Sequence, residues 1–276
     1  MSARPRPSGP ADAPARPGPD TADGPRSGTA ASAAAPDTGA EARSDARNDL
    51  LGVIERHRPL VEAGDDGISR VPSSWMFEGM DHAAARRAAV LILFGRLDEV
   101  ESSAVATTVP ADLDVLFVER AATLRQHAGQ IAFPGGTIDA TDASSVAAAL
   151  REAEEETGLD PDGVEVLGEL PGAELPVTNF VVTPVIGWWD RPSEVFAVDP
   201  GESASVFRAP VADLVHPANR FRVEISRDGR THHSPAFDIG GRIIWGFTGI
   251  VLARLLDDLG WSRPWDQSRH RPYPFS

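Results

Sequence analysis

The chain has 276 residues, a formal net charge of −15 and no cysteine. Without cysteine, disulfides, thiolate metal sites and thiol nucleophiles are excluded, so a metal ion must be held by oxygen or imidazole. The negative charge argues against sequence-independent binding to nucleic acids, which depends on clustered lysine and arginine. The longest apolar run, residues 88–95, is far shorter than the roughly 20 residues of a membrane span. We therefore expect a soluble protein that binds neither nucleic acids nor membranes.

Residues 1–48 are predicted to form a disordered tail. They are rich in alanine, proline, glycine and serine, and no valine, isoleucine, leucine or aromatic residue occurs before Leu50. Such a segment cannot bury enough apolar surface to offset its conformational entropy. Prolines and arginines near the N-terminus also interrupt the apolar stretch that a secretion signal requires, which favours a cytoplasmic location. The folded domain is predicted to span residues 49–276.

The predicted elements of this domain begin with a weak helical pattern at residues 49–58. Residues 88–94 have apolar strand-forming residues at both odd and even positions, which is typical of a strand buried on both faces. Residues 113–118 show the same pattern. We expect these two strands to pair. Further elements are predicted as strands at 164–170, 180–189, 221–225 and 242–245, as helices at 143–157 and 247–259, and as a single turn at 211–214. Strands outnumber helices without regular alternation, which indicates an α/β fold with a mixed sheet flanked by helices.

The helix at residues 143–157 carries the strongest chemical signal. Thr141 or Asp142 is predicted to cap it, and a glycine stands where helices commonly end. At about 100° per residue, one face of the helix, turned away from its apolar stripe, presents Glu152, Glu155 and Glu156. Like charges at this spacing repel one another. A divalent cation that prefers hard oxygen ligands, Mg²⁺ or Mn²⁺, would compensate for that repulsion.

A glycine turn precedes this helix. Phe133 and Pro134 lead into Gly135 and Gly136, and paired glycines let the backbone approach a ligand or a metal closely. On its own such a turn is an ordinary loop, and an isolated acidic run is usually a solvated helix face. Turn and helix in succession instead predict a site where carboxylates bind a cation beside a tight bend.

The two motifs together resemble the Nudix box. Gly136 stands at its start, and residues 151–159 match the arginine, the glutamates and the glycine of its second half. Asp142 stands where the family has glutamate, one residue further from Arg151 than usual. This departure is similar to the coenzyme A pyrophosphatase branch of the Nudix hydrolases. A signature of that branch also precedes the box here, from Arg120 to the glycine turn.

This resemblance implies an α/β/α sandwich and hydrolysis of the diphosphate bond of coenzyme A or acyl-CoA. The products would be 4′-phosphopantetheine and adenosine 3′,5′-bisphosphate. Mg²⁺ or Mn²⁺ would be held by Glu152, Glu156 and the carbonyl of Gly135, with Glu155 a further ligand or the catalytic base. Arg151 would orient a carboxylate. The ions would acidify the attacking water and neutralise the leaving phosphate.

Substrate contacts are predicted at Arg120, Arg125 and Gly136. Planar guanidinium groups pair well with phosphate oxygens, and the alternative for each arginine is an exposed position in a loop. Glu169 and Glu202 are possible general bases, between which the sequence does not select.

Histidines are not assigned to the site. His127 either contacts a phosphate or braces the glycine loop, and the sequence leaves both open. His232 and His233 are adjacent, and adjacent residues of a strand point to opposite faces. We therefore expect these two histidines to lie at the surface rather than to form a metal pair.

Two other functions stay open. A Nudix enzyme for ADP-ribose or a nucleoside diphosphate sugar shares the box, and the signature upstream of the box is what separates it from a coenzyme A pyrophosphatase. A catalytically silent Nudix domain that senses a ligand is the second, and the intact glutamates argue against it. The sequence leaves the oligomeric state and the number of metal ions open.

Overall fold

The computed structural model describes residues 38–62, 82–96, 113–124, 127–175, 178–227 and 230–273. The α-helices in these segments are α1 Thr38–Glu62, α2 Ser145–Thr157, α3 Val211–Leu214 and α4 Gly246–Asp258. The strands are β1 Arg86–Arg96, β2 Leu113–Arg120, β3 Ile131–Ala132, β4 Gly135–Thr137, β5 Val164–Glu169, β6 Ala173–Leu175, β7 Phe180–Trp189, β8 Ser203–Pro210, β9 Arg220–Arg227, β10 Arg230–Ile239, β11 Arg242–Ile244 and β12 His270–Pro272. Short 3-10 turns lie at His82–Ala84, Pro161–Gly163 and Pro217–Asn219.

The larger sheet is mixed and is built around β1. Its hydrogen-bonded order is β3-β2-β1-β7-β5, with β4 also on β1, β6 on β7 and β8 on β2. Strand β1 pairs in parallel with β7 and antiparallel with β2. The predicted mixed sheet and the predicted pairing of residues 88–94 with 113–118 are therefore confirmed.

Alternate residues of β1 supply two separate cores. Leu91 and Leu93 pack with the buried alanines of α2 on one face of the sheet. Ile92 and Phe94 pack on the other face with apolar side chains from α1, α3 and α4. All four side chains are fully buried, and removing one such side chain from water stabilises the fold by roughly 1.5–3 kcal/mol. Helices thus cover both faces of the sheet, as an α/β/α sandwich requires.

The smaller sheet has the order β11-β10-β9-β12. Strands β9, β10 and β11 are antiparallel, and the short C-terminal strand β12 pairs in parallel with β9. Helix α4 packs against β10. The sequence prediction found β9 and β11 but missed β10 and β12, as it missed β3, β4, β6 and β8 of the larger sheet.

Helix α1 begins at Thr38, inside the segment predicted as a tail. Its buried residues include Ala46 and Leu50, and polar contacts join it to the chain around the end of α4. The Trp261 indole N–H donates to Asp49 Oδ2 at 3.0 Å, and His57 Nε2 lies 3.1 Å from an oxygen of Asp258. Residues 37–276 form one compact unit, and the domain boundary at residue 48 stays a prediction. No helix among the described residues is long and apolar enough to cross a membrane.

Candidate functional site

Helix α2 is fixed at both ends by local hydrogen bonds. The Ser144 hydroxyl accepts the N–H of Ala147 at 3.1 Å, and Gly158 ends the helix with φ 69°. The left-handed conformation at such an end favours glycine, which has no Cβ to clash. The predicted cap at Thr141 or Asp142 is wrong, because the helix starts two residues later and Asp142 is engaged elsewhere in the site.

The glycine turn lies directly against α2. Strand β4 pairs with β1, so Gly136 is opposite Ala89 and Gly135 opposite Val90. A Cβ at Gly135, where φ is 153°, would stand 2.3 Å from the Ala89 carbonyl oxygen. A Cβ at Gly136 would stand 2.5 Å from the carboxylate of Glu152. The sheet backbone therefore requires glycine at 135, whereas a side chain at 136 would displace the carboxylate of Glu152.

Glu156 is the most enclosed of the three glutamates. Its side chain is 11% exposed, and one carboxylate oxygen accepts the Gly135 N–H at 3.1 Å. Arg120 at the end of β2 approaches the other oxygen at 3.7 Å. Burial raises the pKa of Glu156 to about 7, against the lowering effect of these two partners, and the neighbouring charges of Glu152 and Glu202 raise it further.

Arg151 connects the remaining carboxylates. Its guanidinium donates from Nε and Nη2 to the two oxygens of Asp142, each at 3.0 Å. Its Nη1 donates to Glu152 and to Glu155, again at 3.0 Å, and its Nη2 reaches the Thr137 carbonyl at 3.2 Å. The hydrogen bonds to Asp142 are the main reason that the pKa of Arg151 is raised. This arginine therefore donates to two glutamates, and its role in orienting a carboxylate for catalysis stays a prediction.

The three glutamates do not have equivalent surroundings. The side chain of Glu155 is 60% exposed, whereas that of Glu152 is 19% exposed. Burial raises the pKa of Glu152, and the hydrogen bond from Arg151 opposes that shift. Glu152 and Glu156 thus lie inward beside the glycine turn, and Glu155 lies on the solvent side of the arginine.

The donor set at this turn suits a divalent cation. Two enclosed carboxylates, those of Glu152 and Glu156, have raised pKa values because burial disfavours their negative charge. Glycine at position 136 leaves the carboxylate of Glu152 room that a side chain would occupy. Hard oxygen ligands of this kind are preferred by Mg²⁺ and Mn²⁺. A cation bound there would offset the repulsion between the two carboxylates and would compensate for the hydration that they lose on burial.

Other predicted residues lie around this centre. Arg120 borders it through Glu156, and Arg125 lies outside the described residues. The His127 ring is 2.8 Å from the side-chain oxygen of Gln130, so His127 braces its own loop. Of the two possible general bases, Glu202 helps to raise the pKa of Glu156, because its negative charge disfavours a second carboxylate charge nearby. The other, Glu169, accepts a hydrogen bond from the hydroxyl of Ser145.

Sequence reasoning missed two sets of polar residues. It treated Asp142 as a helix cap or a box position, and the role of this carboxylate as the partner of Arg151 was visible only in the folded loop. It also placed His232 and His233 at the surface, where both are exposed, but it did not foresee the neighbours of His233. His232 and His233 do point to opposite faces of β10, but His233 meets His270 and Glu224 from two other strands.

Comparison with known proteins identifies the family. The model of the NUDIX domain matches residues 101–228. The Nudix hydrolase NudL of Cronobacter sakazakii is 41% identical over 146 residues, which cover 53% of this chain and 75% of that protein. NudL of Escherichia coli K12 is 40% identical over the same shares.

Solved structures of similar chains are also Nudix proteins. RenU of M. smegmatis is 24% identical, with a TM-score of 0.37 over 49% of this chain and 80% of RenU. A MutT/nudix family protein of Enterococcus faecalis is 13% identical, with a TM-score of 0.41 over 72% of this chain and 73% of that one. From the identity to NudL over three quarters of its length, the chain belongs to the Nudix hydrolase family.

Proposed function

We propose that this Nudix hydrolase, which acts on a nucleoside diphosphate derivative, has coenzyme A or acyl-CoA as its substrate. Hydrolysis of the diphosphate bond would give 4′-phosphopantetheine and adenosine 3′,5′-bisphosphate. One observation carries the proposal. The signature that resembles the coenzyme A branch begins at Arg120 and ends at the glycine turn, and both of its ends contact Glu156.

The two ends of the signature reach Glu156 from two different strands. Arg120 is the last residue of β2, and its side chain is 32% exposed. Gly135 belongs to β4, which pairs with the same edge of β1 as β2 does, nearer the start of β1, because β7 occupies the other edge. The signature thus connects a solvent-accessible guanidinium, which suits a phosphate oxygen, with the carboxylate that would hold the cation. In this proposal, a substrate contact made by Arg120 also affects Glu156, the carboxylate that would hold the cation.

Nudix hydrolases generally use divalent metal ions, and we assign Glu152, Glu156 and the Gly135 carbonyl as ligands of Mg²⁺ or Mn²⁺, with Glu155 close by. A cation held there supplies positive charge beside the diphosphate and makes a nearby water more acidic. Glu155 is exposed and held by Arg151, so its carboxylate is available to take a proton from the attacking water. Arg151 positions both Glu152 and Glu155 for these tasks.

The substrate is proposed to lie across the glycine turn. Arg120, Arg125 and the backbone of Gly136 would contact phosphate oxygens. Guanidinium donors are planar and always charged, which suits a diphosphate. The intact acidic helix argues against a catalytically silent module. A cytoplasmic location stays a prediction.

Product identification tests the substrate. The purified chain is incubated with coenzyme A, acetyl-CoA, 3′-dephospho-coenzyme A, ADP-ribose, a nucleoside diphosphate sugar and a diadenosine polyphosphate, with Mg²⁺, with Mn²⁺ and with excess chelator. We expect adenosine 3′,5′-bisphosphate from coenzyme A only when metal is present. A larger kcat/KM for ADP-ribose, the diphosphate sugar or the dinucleotide would reject the substrate and retain the Nudix chemistry. Failure to cleave any of the diphosphates would favour the ligand-sensing module.

A double substitution tests the site. Glu155→Gln with Glu156→Gln keeps the shape and most hydrogen bonds of both side chains but removes two negative charges. We expect hydrolysis to fall by at least about a thousandfold, since both cation and base are affected. The circular dichroism spectrum should not change. Retained turnover in the pure double variant would rule this mechanism out.

A further inference from the structure

A second group of ligand-bearing side chains lies on the smaller sheet. Glu224 of β9, His233 of β10 and His270 of β12 each offer one ligand atom, and these atoms all lie within 4.8 Å of one another. We propose that these three residues bind a transition-metal ion, with Zn²⁺ as the best fit, at a site separate from the acidic helix.

Strand register brings the three residues together. His233 is directly opposite Glu224 in the antiparallel pair of β10 and β9. On the other side of β9, the parallel strand β12 sets His270 opposite Arg222 and Pro272 opposite Glu224. Residues two apart on a strand share a face, so all three side chains project from the same face. Their grouping therefore follows from the backbone pairing and does not depend on one rotamer alone.

The two imidazoles already have a spacing that suits coordination. Nδ1 of His233 and Nδ1 of His270 are 3.1 Å apart, and the rings are nearly perpendicular at 75°. Two nitrogens bound to one metal at about 2.0–2.1 Å stand about 2.9–3.4 Å apart for bond angles between octahedral and tetrahedral. Both nitrogens could therefore bind one metal ion. Without a metal ion, this short distance requires a hydrogen bond in which one nitrogen is protonated and donates to the other.

The ligand types select the metal. Two imidazoles and one carboxylate suit Zn²⁺, Co²⁺, Ni²⁺ or Cu²⁺, whereas Mg²⁺ prefers oxygen alone. Three protein ligands leave one position of a tetrahedral ion for water or a small anion. His233 also borders a cavity of about 570 Å³ whose walls include Arg220, Arg222 and Arg263. The positive charge of these guanidinium groups repels a cation that forms no coordination bonds. It would attract an anion that binds the metal ion as its fourth ligand.

Such an ion would join three strands at the edge of the sheet. Strand β12 is only three residues long, and it is joined to β9 by backbone bonds that include Tyr273 N–H to the Glu224 carbonyl at 2.9 Å. A metal that binds His270, Glu224 and His233 would add a link from β12 through β9 to β10. We therefore expect the bound ion to hold the C-terminal segment more firmly to the domain.

Cobalt titration tests the site. The full chain without a polyhistidine tag is treated with chelator, transferred to excess Mg²⁺ to occupy the carboxylate site, and titrated with Co²⁺ while its visible absorption is recorded. We expect one Co²⁺ per chain, displaced by Zn²⁺. The double variant His233→Ala with His270→Ala should bind at least about tenfold more weakly, and Glu224→Gln should also weaken binding.

His232→Ala is the matched control, because His232 neighbours His233 but points to the other face of β10. It should bind Co²⁺ as the wild type does. Zn²⁺ at a hundredfold excess over its Kd should raise the Tm of the wild type and the control by about 5 °C and leave the double variant unchanged. Pulsed EPR of Cu²⁺ bound to the wild type should show two imidazoles. Wild-type protein that binds no Co²⁺ in excess Mg²⁺, or a folded double variant that binds it equally, would overturn the proposal.

Discussion

Asp142 receives both arms of the Arg151 guanidinium, from Nε to Oδ1 and from Nη2 to Oδ2, each at 3.0 Å. Asp142 Oδ2 also accepts the N–H of Asp139 at 2.8 Å. The hydrogen bonds from Arg151, followed by that from the Asp139 backbone, lower the pKa of Asp142. One carboxylate in the loop before the helix thus fixes the arginine that holds Glu152 and Glu155.

Replacing Asp142 by asparagine should lower metal-dependent hydrolysis by about tenfold. An asparagine offers one acceptor where the fork of Arg151 uses two, so the guanidinium no longer holds both glutamates in place. The loss should appear mainly in kcat. Asp139→Asn is the matched control, since the Asp139 carboxylate is 63% exposed and 4.0 Å from Arg151. Equal activities of the two variants would contradict the positioning role.

Alanine at position 136 should impair the site without unfolding the protein. The new Cβ would meet the Glu152 carboxylate at 2.5 Å, and this side chain must move away because real Cβ contacts are longer. We expect weaker Mg²⁺ binding in calorimetry and at least about a tenfold loss of turnover. Gly52→Ala in α1 is the comparison, because its Cβ would meet only Arg56, at 3.5 Å. That variant should keep full activity and gain helix stability.

Glu156→Gln should change the pH dependence of stability in chelated protein. The pKa of Glu156 is raised from 4.5 to about 7 by burial. The folded state therefore holds a proton that the unfolded state loses, and the free energy of unfolding falls as pH rises from about 4.5 to about 7. Glutamine carries no charge, so the variant should gain about 3 kcal/mol relative to the wild type at pH 8 and little at pH 4. Urea unfolding at both pH values measures the difference, and a gain that is the same at both would show that burial of the charge is not its cause.

An ion pair within the larger sheet and one between α1 and that sheet should differ in their contribution to stability. Asp114 is 1% exposed and lies 2.7 Å from the Arg208 Nε. Removing its carboxylate as Asp114→Ala takes away the negative charge that neutralises the partly buried Arg208 and should cost about 3–5 kcal/mol. Arg47→Ala breaks an ion pair with Glu165 in which both side chains are more than a third exposed, and should cost under about 1 kcal/mol. Similar midpoints of urea unfolding for the two variants would contradict this difference.

The central strands could be predicted because their amino-acid composition indicates that both of their faces are buried. β1 and β7 contain long apolar runs, and a strand buried on both faces needs them. β10 could not be recognised in the same way, since it contains Arg230, two histidines and Pro235. Proline in a strand interior usually argues against a strand. Pairing with β9 over eight residues overrides that local signal.

The part of the candidate site whose residues are close together in the sequence was predictable. Helix α2 and the glycine turn follow each other in sequence, and helical periodicity alone gathers the glutamates on one face. The unequal exposure of Glu155 and Glu156 was not predictable, because it depends on how the helix faces β4. The meeting of His233 with His270, 37 residues away, depends on the parallel pairing of a three-residue strand, for which no sequence pattern exists.

Helix α1 also has a consequence for synthesis of the protein. The contact of Asp49 with Trp261 joins residues 212 positions apart, and that of His57 with Asp258 joins residues 201 apart. During translation the N-terminal partner emerges first and cannot complete these contacts until the C-terminal partner has left the ribosome. The apolar face of α1 and the core that it covers therefore stay accessible to chaperones for most of the time that the nascent chain is being made.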